Sequence, residues 1–231
     1  MKRFLSLLLL LITLHLAAQA QKQTFKNELY VGAGGGAISS TLDFMPRIPQ
    51  QFNTGMIGGI AVKYISEKYL GLVGEVNFAQ RGWKEEFDPS SDFSYRRTLN
   101  YIEIPVMTHI YIGNKTRFIM NAGPQISMLL SDSQEMSKAL ADDIATRQAA
   151  EPEAPIGVQY GPSDKLKRLD YGLVGGVGME LKTAAGDFDL EGRYYFGLGD
   201  LFNNRRSDNA FFTRSAHRLF EAKLTYYLKI H

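Results

Sequence analysis

The stretch Asn100-Tyr101-Ile102-Glu103-Ile104-Pro105-Val106-Met107-Thr108-His109-Ile110-Tyr111-Ile112 decides how this chain is read. From Ile102 on, its even positions are apolar or β-branched: Ile102, Ile104, Val106, Thr108, Ile110 and Ile112. The odd positions, Tyr101, Glu103, Pro105, Met107, His109 and Tyr111, carry the charge and the polar tips. A period of two describes a strand with one greasy face and one mixed face. The run is about as long as a tilted strand needs to cross a bilayer, and roughly twice an ordinary soluble strand. After a turn at Gly113-Asn114-Lys115 the pattern repeats over 117–130, with Phe118, Met120, Ala122, Ile126, Met128 and Leu130 opposite Arg117, Asn121 and Gln125. The two runs form a hairpin of long strands.

Working outward, six further runs alternate in the same way: 28–38, 55–65, 70–82, 169–182, 187–198 and 216–229. Their connections sort by length. Those at 66–69, 113–116 and 183–186 are tight; those at 39–54, 83–98, 131–168 and 199–215 are long. Short turns at one end and long loops at the other are the habit of outer-membrane barrels. The expected fold is therefore all-β: an eight-stranded antiparallel transmembrane β-barrel with short periplasmic turns and long extracellular loops. Within the loop at 131–168, Met136, Leu140 and Ile144 fall at helical spacing, with Ser133 as a cap and Pro152 and Pro155 as stops. Tyr64, Tyr69, Trp83, Tyr194, Tyr226 and Tyr227 lie near strand ends, where an interfacial aromatic girdle belongs.

One face of these strands collects the charges: Lys63, Glu75, Arg81, Glu103, Arg117, Glu180, Lys182, Asp189, Glu191, Arg193, Glu221 and Lys223. In a membrane barrel this face turns inward. Eight strands enclose about enough room for their own side chains, and charges away from water need partners. The set is expected to form a structural ion-pair network filling the lumen. Pro105 and Pro124 cannot donate to a ladder and imply bulges or local breaks.

The chain begins with Lys2 and Arg3, a Leu-rich run over 4–16, and the small-residue site Ala18-Gln19-Ala20. This predicts a Sec signal peptide at 1–20, a mature domain at 21–231 beginning at Gln21, and an outer-membrane destination. Removing Lys2 and Arg3 from the 26 basic residues leaves 24 against 24 acidic ones, a balance that suggests no nucleic acid. No Cys is present, so a lipoprotein anchor and disulfides are excluded.

The motifs Tyr101-Ile102-Glu103-Ile104-Pro105-Val106 and Asn121-Ala122-Gly123-Pro124-Gln125 carry a family likeness. Leu169-Asp170-Tyr171-Gly172 and Arg193-Tyr194-Tyr195-Phe196-Gly197-Leu198 add to it. Over essentially the whole mature length, the chain resembles the outer-membrane β-barrel domain common in Bacteroidetes, the PorT-like group of porin-family proteins. The resemblance implies outer-membrane lipid as surroundings and an envelope or secretion-system protein as partner. The chain departs from the usual aromatic ending of outer-membrane barrels, closing on Leu228-Lys229-Ile230-His231.

Little points to catalysis. His109 shares a face with Glu103, a pairing that serves general-base chemistry in enzymes and hydrogen bonding in a lumen. Gly32-Ala33-Gly34-Gly35-Gly36 lacks the Lys-Ser/Thr and helix start of a phosphate loop. No zinc pattern is present. The sequence therefore implies no catalytic residue, no cofactor and no metal. The reading is a non-enzymatic envelope protein, structural or partner-binding through its long loops. A small-solute porin, a lipid-modifying enzyme and a soluble lipocalin-like binder remain as alternatives.

Overall fold

The computed structural model describes residues 26–154, 156–203 and 211–231. The leader expected at 1–20 and the mature start at Gln21 lie outside them. Among the described residues, nine strands, one α-helix and two 3-10 turns follow in order. The strands are β1 (Glu28–Met45), β2 (Gln50–Gln51), β3 (Asn53–Glu67), β4 (Leu70–Glu85), β5 (Tyr95–Gly113), β6 (Thr116–Met136), β7 (Leu169–Thr183), β8 (Gly186–Gly197) and β9 (Arg214–Lys229). The helix, α1, is Lys138–Ala150. No helix among the described residues is long and apolar enough to cross a membrane.

All nine strands form one antiparallel sheet in the order β2-β4-β3-β1-β9-β8-β7-β6-β5, and β5 also pairs with β4, from Leu70↔Ile110 to Lys84↔Arg96. Each long strand has a paired neighbour on either side, which satisfies its backbone donors and acceptors without water. The short β2 pairs only with the far end of β4, through Gln50↔Glu85 and Gln51↔Lys84.

This corrects the expected eight-stranded, all-β barrel with long extracellular loops. The sheet has nine strands, and the chain is not wholly β. The strands run into the segments expected as loops: β1 continues to Met45, β4 to Glu85, β6 to Met136, and β5 begins at Tyr95. A bilayer needs about 9–11 tilted residues, whereas β5 has 19 and β6 has 21. The surplus continues the sheet past the membrane at the long-connection end. There the polarity of the outer face inverts while its parity stays the same. Along β5 the outward residues read Arg96, Thr98, Asn100, then Ile102, Ile104, Val106. Along β9 they read Arg214 and Arg218, then Phe220, Ala222 and Leu224. The switch marks the edge of the apolar belt.

The prolines break the ladders locally. The β4–β5 ladder skips Pro105, and the β5–β6 ladder resumes beyond Pro105↔Gln125 at Thr108↔Ala122. The one register shift between β5 and β6 lies elsewhere, at Asn100/Tyr101.

Candidate functional site

The inner face of the sheet brings together most of the charged residues that alternation assigns to it, in three tiers. Nearest the tight turns, Lys63 Nζ bonds Glu180 Oε2 and lies 3.2 Å from Asp189 Oδ2. Arg117 holds the other Glu180 oxygen at 2.9 Å. Lys182 is only partly buried and reaches Asp187 at 3.7 Å, Glu28 at 3.8 Å and the Tyr30 hydroxyl at 2.9 Å.

In the middle tier, both terminal nitrogens of Arg193 donate to Glu75, each at 2.8 Å, and one also reaches Glu191 at 2.8 Å. Lys223 donates to Glu75 at 2.7 Å and to Asn77 at 2.9 Å. The crowding has a backbone requirement. A Cβ on Gly176 would stand 2.5 Å from Glu191 Oε1 and 2.7 Å from Arg193 Cγ, so the network fits only against glycine there. Glu221 is buried in this tier but joins no ion pair among the described residues.

The upper tier centres on Arg81, which is fully buried. It lies 3.0 Å from Asp170 and 3.5 Å from Glu103, with its guanidinium 3.7 Å from the centre of the Tyr101 ring. Tyr195 donates to Asp170 at 3.0 Å. Glu103 and His109 are thus held apart in function. Arg81 is the partner of Glu103, and the Nδ1–H of His109 donates to Asn121 at 2.7 Å. That arrangement offers no base poised over a nucleophile. Among the described residues no cluster of three or more His, Asp or Glu could hold a metal.

Above Arg81 the interior turns apolar. Leu42, Phe44, Trp83, Tyr95, Leu99, Tyr101, Leu129, Leu140, Leu166, Leu201, Phe202 and Phe212 form one buried cluster. Trp83 lies at its heart, edge-on to Phe44 at 5.5 Å, and is fully buried. It is therefore a core residue, not part of an interfacial girdle; Tyr227 is likewise buried, whereas Tyr64, Tyr69 and Tyr194 face outward.

The connection between β6 and β7 folds down onto this cluster. Because β6 continues to Met136, Ser133 is in the strand, and the helix is capped instead by Ser137, whose Oγ accepts from the backbone N–H groups of Leu140 and Ser94. Leu140 carries the helix into the cluster. Arg97, fully buried, pins the rest. It lies 2.7 Å from Asp132 and donates to the carbonyl oxygens of Gly161 at 2.9 Å and Gln159 at 3.3 Å. Tyr160 donates to Glu85 at 2.6 Å. Burial pushes the Glu85 carboxyl above its usual range, against the opposing pull of the Tyr160 hydroxyl.

The expected network left out Asp170, Arg97 and Asp132. Alternation places Asp170 on the same face as Glu180 and Lys182, so its side was legible and only its partner, Arg81, was not. Arg97 and Asp132 fell in segments read as loop.

A strand-built wall with an apolar outer belt and an ion-paired interior matches the family comparison. The model described as outer membrane protein beta-barrel domain covers residues 18–203. The chain belongs to that family. Membership places it in the outer membrane, among lipid. Among solved structures it is similar to Neisserial surface protein A, at 14% identity, 89% of this chain and 100% of that one, with a TM-score of 0.48. It is similar to OprG from Pseudomonas aeruginosa at 9% identity, 88% and 96% coverage, and a TM-score of 0.47. Ail of Yersinia pestis shows 11% identity, 88% and 100% coverage, and a TM-score of 0.41. No curated protein matches the chain.

Proposed function

We propose that this member of the family is a non-enzymatic outer-membrane protein that engages another envelope protein through its long-connection end, in the manner the PorT-like resemblance implies. The observation that carries the reading is the packing of 137–154 and 156–168 over the apolar cluster. The segment is held by Arg97, Tyr160 and Leu140, which gives that end a fixed shape while leaving α1 residues such as Ala149 exposed. Long connections with their own structure are disproportionately functional. The filled interior beneath supports a role at the surface over one in solute passage. The leader at 1–20 is removed after Ala20 on export.

Site-specific photocross-linking in intact cells tests the reading. A photoreactive side chain at Ala149 or Lys165 is expected to give a discrete adduct to one envelope protein, and the same side chain at Ile60 on the outer belt is expected to give none. Absence of adducts from the long-connection end, or equal adducts from both places, contradicts it. N-terminal sequencing of the purified protein should begin at Gln21.

A further inference from the structure

The outer surface carries a feature that neither the interior nor the cap explains. Across β6 to β9 a groove of ≈ 500 Å³ is sunk into the apolar belt. Its floor is Ala122, Gly175 and Gly192; Val177, Tyr194 and Phe220 rise beside it. The register places these residues side by side: Ala122↔Gly175, Val177↔Gly192 and Tyr194↔Phe220.

The two floor glycines have no local reason to be glycine. A Cβ on Gly192 would meet nothing within 4 Å, and one on Gly175 would meet only Asn121 O at 4.0 Å. Gly176, facing inward, is the opposite case. Glycine within a strand weakens it and often marks close approach of a ligand.

Farther along β8, where it faces β9, lies a second hollow, lined by Phe196, Leu198, Asp200, Thr213, Arg214 and Ala216. Phe196 is four residues from Gly192, roughly 14 Å along a strand. The Arg218 guanidinium lies over the Phe196 ring, 3.8 Å from its centre, donates to the carbonyls of Gly197 and His217, and shares Asp43 with Arg214. One carboxylate thus serves two guanidiniums. The terminal nitrogens of Arg214 have no partner among the described residues, and the side chain is partly exposed. Asp200, on the other side of the hollow, accepts the Ser215 N–H at 2.6 Å. Both arginines stand where the outer face changes from apolar to polar, the level of lipid headgroups.

We infer that β7, β8 and β9 carry a site for one membrane glycerophospholipid, its phosphate against the Arg214 fork and an acyl chain laid in the Gly175–Gly192 groove. Arginine is the side chain best suited to phosphate at such a place, and hydrocarbon is what the surrounding membrane offers an apolar groove.

The test is native mass spectrometry of the full chain, released from detergent and titrated with dioleoylphosphatidylglycerol. The wild type should retain one lipid. G192F fills the groove without touching the interior, and R214Q removes the fork; each should bind roughly tenfold more weakly. G74F is the control. Gly74 also faces outward with nothing within 4 Å, but on β4, and it should bind as the wild type does. Folding of each variant is checked by the shift between unheated and heated bands on a gel. G175L serves if G192F fails to fold. Dioleoylglycerol, lacking phosphate, and glycerol 3-phosphate, lacking chains, should each bind far less well. Equal retention by wild type, G192F and R214Q overturns the site, as does equal loss in G74F. Tight binding of glycerol 3-phosphate alone would reduce it to an anion site and overturn the two-part lipid assignment.

Discussion

Arg193 grips Glu75 with both ends of its guanidinium, at 2.8 Å to each oxygen, although the two residues lie on β8 and β4 at opposite sides of the sheet's interior. The pair is buried on all sides, and Lys223 completes it from β9. Three strands that are not all neighbours are thereby tied through one carboxylate.

Glu75→Gln leaves the shape of the site but strips the charge that Arg193 and Lys223 share. Removing one partner of a buried ion pair costs on the order of 3–5 kcal/mol, because the other charge is left uncompensated. Urea unfolding in lipid vesicles should show a loss of that size. Combining Glu75→Gln with Arg193→Gln should cost less than the sum of the two changes. Additive losses would mean that the pair is not coupled as its geometry implies.

Ile104 stands outward on β5, about half exposed, whereas neighbouring Glu103 is buried. Ile104→Arg near the middle of the apolar belt should cost roughly 2–4 kcal/mol, and Ile104→Leu almost nothing. A lipid-soluble thiol reagent should label Ile104→Cys readily and Glu103→Cys poorly. The reverse labelling would mean that the faces have been assigned the wrong way round.

Glu85 predicts how the cap responds to pH. Burial raises its folded pKa above the unfolded value, and it sits beneath Tyr160, itself raised by burial and by the Glu85 carboxylate. A carboxyl whose folded pKa is raised binds more protons folded than unfolded. Its contribution to stability is therefore fully present below the unfolded value of about 4.3 and is lost as pH rises through the folded one. Amide exchange around 158–166 should accelerate from acidic to neutral pH, and Glu85→Gln should flatten that dependence. Exchange that slows as pH rises, once corrected for intrinsic rates, would contradict the sign.

Much of the wall was legible. From Glu28, Leu70 and Leu169 onward the strands begin where alternation places them, because a lipid-facing surface and a charged interior leave a clean period of two. The upper part of the sheet was not legible, for a physical reason. At Tyr101 and Ile102 the two faces exchange polarity: outside the membrane, Arg96 and Thr98 meet water while Tyr95 and Leu99 pack inward. Read under a membrane rule, that inverted pattern looks like loop. The ion-pair partners could not be chosen from sequence either, since alternation gives the face but not the strand across the interior. Glu180, for instance, is shared by Lys63 and Arg117, residues far from it in the chain.

The central claim is that side chains close the interior, with ion pairs in three tiers and the apolar cluster above them, so that the protein acts through its surface. Single-channel recording of the pure full-length protein in a planar bilayer tests this most directly. A silent trace, under conditions where a known porin conducts, is the expected result. Large, steady current steps from the wild-type protein would show a continuous water path and contradict the account.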